Sequence, residues 1–256
     1  MTSINASTMT SINKNKPSTQ ILIIHVRSNE ERRIYVEGQV RPLGMPYTFI
    51  NDGNKEDLTP EIIERYFIDN GREDTMYGAL PHTSCAYKHI LAMQYIISQD
   101  LEGALILEDD IRLKADFLSV FNQSMDELRK EHNGEACIVN YEESSLMLVP
   151  RSQRRKGKVL YKANRDRFAG CLYITRNAAE RIMKYIMEHK SAYTSDILHY
   201  NLIKQGVITY YWSYPCIACQ CSCDGSMPTM IQKPRPYKRL KWFYKKVYKH
   251  ILYFFR

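Results

Sequence analysis

The sequence lacks any long apolar segment. Its 256 residues contain no run of 18 apolar residues, and the N-terminus has no continuous apolar stretch of the secretory-signal type. We therefore expect no membrane-spanning helix and a protein kept in the cytoplasm. The apolar content of 44% is nonetheless sufficient for the core of one domain of ordinary size.

Acidic residues are absent from the C-terminal segment 231–256, which contains nine lysines and arginines. The formal net charge of +8 is thus concentrated in this tail, and the rest of the chain carries about −1. A nucleic-acid-binding domain usually has a basic face on the fold itself. No nucleic acid is therefore predicted as a partner.

The tail also has helical periodicity. Eight apolar residues are predicted to share one helical face: Leu240, Phe243, Tyr244, Val247, Tyr248, Ile251, Leu252 and Phe255. A basic amphipathic helix with aromatic residues is typical of a helix that lies on an anionic membrane surface. The alternative is that this face packs against the rest of the chain or against another protein.

The seven cysteines lack the two separated pairs of the usual zinc module. Three stand singly in apolar surroundings and are predicted to be buried free thiols: Cys85, Cys137 and Cys171. The other four lie within eight residues: Cys216, Cys219, Cys221 and Cys223. For this crowded group, free thiols and a structural zinc site are both open interpretations.

Apolar segments with two different periodicities alternate along the chain. Short runs rich in β-branched residues predict strands at 21–26, 47–50, 104–107, 136–139 and 170–174. Helical spacing predicts helices within 27–40, at 84–99, over 117–128, up to 187 and at 195–205. Strands that alternate with helices are typical of an α/β fold with a mostly parallel central sheet.

Three segments follow from this pattern. Residues 1–20 are polar and contain a short direct repeat, so a disordered leader is predicted. Residues 21–230 are predicted to form one domain, and residues 231–256 form the basic tail.

Three consecutive carboxylates, Glu108, Asp109 and Asp110, directly follow the apolar strand 104–107. This clustering is electrostatically unfavourable unless a positive charge joins it. In open α/β sheets, ligands bind outside the carboxyl ends of the strands, and carboxylates there can hold Mg²⁺ or Mn²⁺ together with a phosphate. The alternative is a solvated acidic turn that stabilises the start of the next helix.

Further short motifs accompany the acidic triplet in a fixed order. They are the strand and charged segment 21–33, Ser84-Cys85-Ala86-Tyr87-Lys88-His89, the segment 105–111, the segment 169–179, Ser195-Asp196, and finally Pro215, Gln220 and Ser226. This series resembles glycosyltransferase family 25, the lipopolysaccharide and lipooligosaccharide galactosyltransferase family, over residues 21–231. Two positions depart from the family pattern: Ser84 replaces a glycine and Lys88 replaces a serine, so the sugar transferred could differ.

The resemblance implies a GT-A-like, nucleotide-sugar-binding α/β fold. It also implies an inverting transfer from a UDP-sugar, usually UDP-galactose, to a glycan or lipid-linked oligosaccharide acceptor. With the basic tail, it implies a peripheral location on the cytoplasmic face of the inner membrane. The same fold without turnover would instead make a nucleotide-sugar or glycan binding protein, and the cysteine group would suit a zinc-dependent interaction protein.

Candidate roles follow from the chemistry of such a transfer. Asp110, with Asp109 or Glu108, would hold Mn²⁺ or Mg²⁺ and the diphosphate. His89 would hydrogen-bond the donor, unless it is a histidine beside the core.

Two further residues complete the predicted site. Asp196 is the candidate general base, and its alternative is an acid that stabilises a helix N-terminus. Arg27, or Arg33, would reach the donor phosphates or base, and the alternative for both is a surface position.

Overall fold

The computed structural model describes residues 19–71, 76–230 and 237–256. The strands are β1 (Gln20–Ile24), β2 (Tyr47–Ile50), β3 (Gly103–Glu108), β4 (Ile111–Leu113), β5 (Cys137–Asn140), β6 (Leu160–Lys162), β7 (Cys171–Thr175), β8 (Thr209–Ser213) and β9 (Ala218–Gln220). The helices are α1 (Glu30–Val40), α2 (Pro60–Tyr66), α3 (Pro81–Ser98), α4 (Phe117–Glu131), α5 (Arg176–His189), α6 (Ser195–Lys204), α7 (Cys221–Asp224) and α8 (Lys238–Phe255). Most of the predicted leader lies outside these residues, although Gln20 already belongs to β1.

Seven strands form the central sheet in the order β2-β1-β3-β7-β5-β8-β6. Strands β2, β1, β3, β5 and β8 run in one direction, and β7 and β6 run in the other. The predicted α/β fold with a mostly parallel sheet is therefore confirmed. Strands β4 and β9 form a separate antiparallel pair.

The sheet is covered by helices on both faces. On β1 and β3, successive side chains point to opposite faces, and both sets are buried because each face carries its own apolar core. One core packs the sheet against α3 and α5, and the other packs it against α1 and α4. This two-sided burial explains why β1 is a continuous apolar run.

The carboxyl ends of β1 and β3 meet at one edge of the sheet, where Ile24 is paired with Glu108. The residues that follow these strands therefore begin the candidate site. Helix α3 passes the same edge, because the Cys85 thiol lies 3.8 Å from a Glu108 carboxylate oxygen. At the opposite end of the sheet, the Thr175 hydroxyl accepts a hydrogen bond from Ala178 N and caps α5.

Helix α8 forms in the predicted tail, but its orientation contradicts packing of its apolar face against the rest of the chain. Lys246 and His250 pair with the buried Glu143, at 2.7 and 3.1 Å, and hold the polar face inward. The side chains of seven of the eight apolar residues predicted for one face are 43–82% exposed: Leu240, Phe243, Tyr244, Val247, Tyr248, Ile251 and Phe255. Leu252 is half-buried at the edge of that face.

Among the described residues, no helix is both long enough and apolar enough to cross a membrane.

Candidate active site

His25 and Arg32 hold the middle carboxylate of the triplet. Asp109 is buried, its Oδ2 lies 2.9 Å from His25 Nδ1, and its Oδ1 accepts a 2.7 Å hydrogen bond from Arg32 Nη1. Burial alone would raise the pKa of Asp109, but these two partners outweigh burial and hold the pKa below its ordinary value. Both oxygens thus have a hydrogen-bond partner, and the role of Asp109 as a metal ligand stays a prediction.

Asp110 is in a different electrostatic position from its neighbour. Its Oδ2 accepts a 3.0 Å hydrogen bond from Ser222 N, whereas its buried Oδ1 has no hydrogen-bond partner. Burial, reinforced by the charge of Glu108, raises the pKa of Asp110 to about 6. A buried carboxylate oxygen without a partner is what a hard divalent cation would satisfy, so Asp110 fits the predicted Mn²⁺ or Mg²⁺ site.

Glu108 points toward α3 and β9. Its Oε2 accepts a 2.7 Å hydrogen bond from Gln220 Nε2, and its Oε1 lies 3.6 Å from His89 Nε2. His89 is buried, yet neither of its ring nitrogens has a hydrogen-bond partner. The structure thereby brings the predicted residues Glu108 and His89 into direct proximity.

Two adjoining cavities open at this edge of the sheet. The first, of about 280 Å³, is lined among others by His25, Arg32, Asn54 and Asp109. The second, of about 260 Å³, is lined among others by His89, Asp196, Gln220 and Ser222. Cys85 and Glu108 line both cavities, so they form the boundary between them.

Asp196 lies in the first turn of α6 and faces the second cavity. Its Oδ1 accepts a hydrogen bond from the Thr194 hydroxyl. Burial raises the pKa of the nearby Asp166 to about 7, and the charge of Asp196 is the second cause of this increase. The candidate base Asp196 therefore shares a cavity with Glu108 and His89. Its place in the first turn of α6 also agrees with the alternative role of stabilising the helix N-terminus.

Residues 18–199 match the model of glycosyltransferase family 25, described as an LPS biosynthesis protein. The chain belongs to glycosyltransferase family 25. The α/β sheet agrees with the GT-A-like fold that the sequence motifs predict. No curated protein matches the chain significantly in sequence.

Two solved structures are distantly similar. One is a glycosyltransferase involved in the glycosylation of the major capsid of PBCV-1, with 11% identity, a TM-score of 0.41, and coverage of 82% of this chain and 100% of that chain. The other is mannose-1-phosphate geranyltransferase from Thermus thermophilus, with 10% identity, a TM-score of 0.24, and coverage of 93% of this chain and 67% of that chain. At these scores, no functional conclusion is drawn from either.

Arg32, and not Arg27, is the arginine beside the triplet of this family 25 chain. The Arg27 guanidinium is exposed and pairs with Asp52 and Asp57 at 3.2 and 3.4 Å. It lines neither of the two cavities, and its role as a donor contact stays a prediction. Arg33 lies over the ring of Phe49. The sequence contains all three arginines but does not show which of them reaches the triplet.

Glu142 is a fourth carboxylate at the site that the sequence analysis missed. It is buried, its Oε2 accepts a 3.1 Å hydrogen bond from Gly170 N, and its Oε1 has no partner. Burial, with further contributions from Glu108 and Asp110, raises the pKa of Glu142 to about 8. Its place two residues after β5 is the signal that could have identified it, because that strand ends at the same edge as β3.

The two departures from the family pattern act on one loop. The buried Lys88 ammonium donates to the carbonyls of Ile50, Asn51 and Asp52 at 3.0–3.4 Å, and burial lowers its pKa to about 8. The Ser84 hydroxyl donates to the Gly53 carbonyl at 2.7 Å. Together they fix the chain after β2, which leads to Asn54 in the first cavity.

The crowded cysteines do not share a metal site within the described residues. Cys219 contacts Ser144, Cys221 contacts Tyr35, and Cys223 contacts Gln220. Cys137 and Cys171 are buried free thiols as predicted, while Cys85 is half-buried.

Proposed function

We propose that this chain transfers a hexose, with galactose as the first candidate, from a UDP-sugar to a lipopolysaccharide-type glycan with inversion at the anomeric carbon. Membership of family 25 supports glycosyl transfer in general. The observation that carries the proposal is the pair of adjoining cavities, with Asp109 and Arg32 lining the first, Asp196 lining the second, and Glu108 lining both. Such a pair suits a nucleotide donor and a separate acceptor.

The donor would bind in the first cavity. Asp110 would hold the divalent cation, which when bound neutralises the diphosphate and stabilises the charge that develops on the leaving UDP. Glu108 and His89 lie at the boundary where the sugar would cross toward the second cavity. Asp109 fixes Arg32 and His25 in the cavity wall and so positions the first cavity.

The acceptor would bind in the second cavity. The Asp196 carboxylate takes the proton of the attacking hydroxyl as that oxygen bonds to the anomeric carbon and the bond to UDP breaks. Because the Thr194 hydroxyl donates to Oδ1, the other oxygen of Asp196 would take the proton. Attack from the side opposite UDP inverts the anomeric configuration.

A screen of UDP-sugars with lipopolysaccharide core fragments tests the proposal. We expect UDP release that requires both the acceptor and Mn²⁺ or Mg²⁺, fastest with UDP-galactose, and an inverted linkage in the product. UDP binding without turnover of any UDP-sugar would instead support a non-catalytic nucleotide-sugar binding protein. Turnover that survives complete removal of divalent cations would contradict the role given to Asp110.

We further propose that α8 attaches the enzyme to the cytoplasmic face of an anionic membrane. Its apolar face is exposed and directed away from the catalytic body, while the segment 231–256 has nine basic residues and no acid. Each basic residue near an anionic surface contributes about 1 kcal/mol, and the apolar face would enter the headgroup region. An acceptor carried on a lipid would then lie close to the second cavity.

A further inference from the structure

Cys85, His89 and Glu108 form a compact group of three different ligand types. The thiol, one ring nitrogen of the histidine and one carboxylate oxygen all lie within 4.8 Å of one another. Within the described residues, this is the one group of three or more such side chains whose ligand atoms converge in this way.

The spacing of these atoms suits a tetrahedral cation. Glu108 Oε1 lies 3.6 Å from His89 Nε2 and 3.8 Å from Cys85 Sγ. With the usual zinc bond lengths of about 2.0–2.3 Å, ligand atoms of a tetrahedral site lie about 3.4–3.6 Å apart. These two separations would therefore need to change by only a few tenths of an ångström. Cys85 and His89 are one turn apart on α3, so the helix itself fixes the separation of two ligands.

A second observation concerns His89 itself. It is 98% buried, and neither ring nitrogen has a hydrogen-bond partner, which is costly for a polar side chain. The Cys85 thiol lies 3.8 Å from a Glu108 carboxylate oxygen, so a thiolate there would need a positive charge between the two. A cation bound between the three side chains would satisfy both residues at once.

We propose that Cys85, His89 and Glu108 bind a zinc-class divalent cation at the boundary of the two cavities, separately from the hard cation at Asp110. Thiolate and imidazole ligands select Zn²⁺ over Mg²⁺ or Mn²⁺, which prefer oxygen. The three side chains leave a fourth position for water or a ligand. All three side chains line the second cavity, which Asp196 also lines. The proposal does not depend on glycosyl transfer, since it concerns binding alone.

Metal titration of the full, reduced, chelator-treated protein tests this site. We expect one equivalent of Zn²⁺ to bind in competition with a chromophoric chelator, and Co²⁺ to give thiolate charge-transfer absorption in the near ultraviolet. Millimolar Mg²⁺ should leave both signals unchanged. In Cys85→Ser the charge-transfer band should disappear, and in both Cys85→Ser and His89→Gln the zinc affinity should fall by about tenfold or more.

Cys223→Ser is the matched control, because Cys223 lines the same cavity but lies outside the group. It should keep the cobalt spectrum and the zinc affinity of the unmodified protein. Protection of Cys85 from alkylation by one equivalent of Zn²⁺, mapped by peptide mass, gives a measurement that needs no variant. The proposal is overturned if Cys85 stays fully reactive with Zn²⁺ present, or if Cys223→Ser and not Cys85→Ser removes the signal.

Discussion

At the scale of single residues, three adjacent carboxylates have three different environments. Asp109 is paired with His25 and Arg32, Asp110 has one oxygen without a partner, and Glu108 contacts Gln220 and lies beside His89. Removing the negative charge should therefore have opposite effects on the stability of the fold at the neighbouring positions 109 and 110. The same substitution, aspartate to asparagine, tests this directly.

Asp109→Asn should destabilise the metal-free protein, whereas Asp110→Asn should leave its free energy of unfolding unchanged or higher. Loss of one partner from a buried ion pair costs about 3 kcal/mol, because the other charge remains buried. Denaturant unfolding in the presence of a chelator measures both effects. Asp110→Asn should in addition lose most metal-dependent transfer. Equal stability losses in the two variants would contradict the separate roles.

Glu142 should make stability depend on pH. Its pKa is about 8 in the fold against an ordinary value of 4.5, so between these values the folded state keeps a proton that the unfolded state has lost. The contribution of Glu142 to stability is therefore present below pH 4.5 and is lost as the pH rises through 8.

In Glu142→Gln, the decline of stability with rising pH should be shallower than in the unmodified protein. Urea unfolding of metal-free protein at pH 5, 6.5 and 8 gives the comparison. Asp110, whose pKa is about 6, is present in both proteins, so the comparison reports the change made at position 142. Parallel pH profiles for the two proteins would rule out Glu142 as a residue that is protonated in the fold.

Asp196→Ala should slow glycosyl transfer by roughly 10²- to 10⁴-fold, the usual contribution of a general base. Binding of UDP should change little, because Asp196 lines the second cavity and not the first. Steady-state rates and UDP titration separate the two effects. A loss of only a few fold, together with a lower melting temperature, would favour the helix-stabilising role.

At the scale of elements, α8 combines one docked face with one exposed face. Glu143 binds Lys246 and His250 on the docked side, and Val247 and Ile251 lie on the exposed side. This division allows membrane contact and docking to be changed independently.

The double variant Val247→Glu/Ile251→Glu should lose more than about tenfold in binding to anionic vesicles without losing stability. Each fully buried aliphatic side chain contributes roughly 1.5–3 kcal/mol, and in water these two are already exposed. Sedimentation with anionic and neutral vesicles measures the binding. Glu143→Gln, which weakens docking but keeps the apolar face, is the control and should still bind. A double variant that binds as well as the unmodified protein would disprove the membrane role of this face.

At the scale of the whole molecule, the charge is divided between a near-neutral body and a strongly basic tail. The tail supplies nine positive charges to a total of +8. Attraction to an anionic membrane would thus orient the molecule by its C-terminal helix, and we expect it to weaken as salt rises, since screening acts over about 8 Å at physiological ionic strength. The contribution of the apolar face of α8 to membrane binding should persist at high salt.

The sequence by itself determined the fold class and the edge of the sheet at which the site forms. Short apolar runs identified β1, β2, β3, β5 and β7 to within about two residues. For β1 and β3, burial on both faces leaves few polar positions to obscure the pattern. It did not identify the short strands β4, β6 and β9, or β8 and α2. Three-residue strands depend on a partner for their pairing, and that partner is distant in the chain.

Only the tertiary structure decided which of the candidate residues meet. From the sequence, Arg27, Arg32 and Arg33 are equally plausible partners for the acidic triplet. In the fold it is Arg32 that contacts Asp109, which is 77 positions away in the chain. The same is true of Glu142, whose significance arises from burial beside the triplet. Local patterns follow from backbone geometry and the period of apolar residues, whereas the charge state and partners of a buried carboxylate depend on strands brought together by folding.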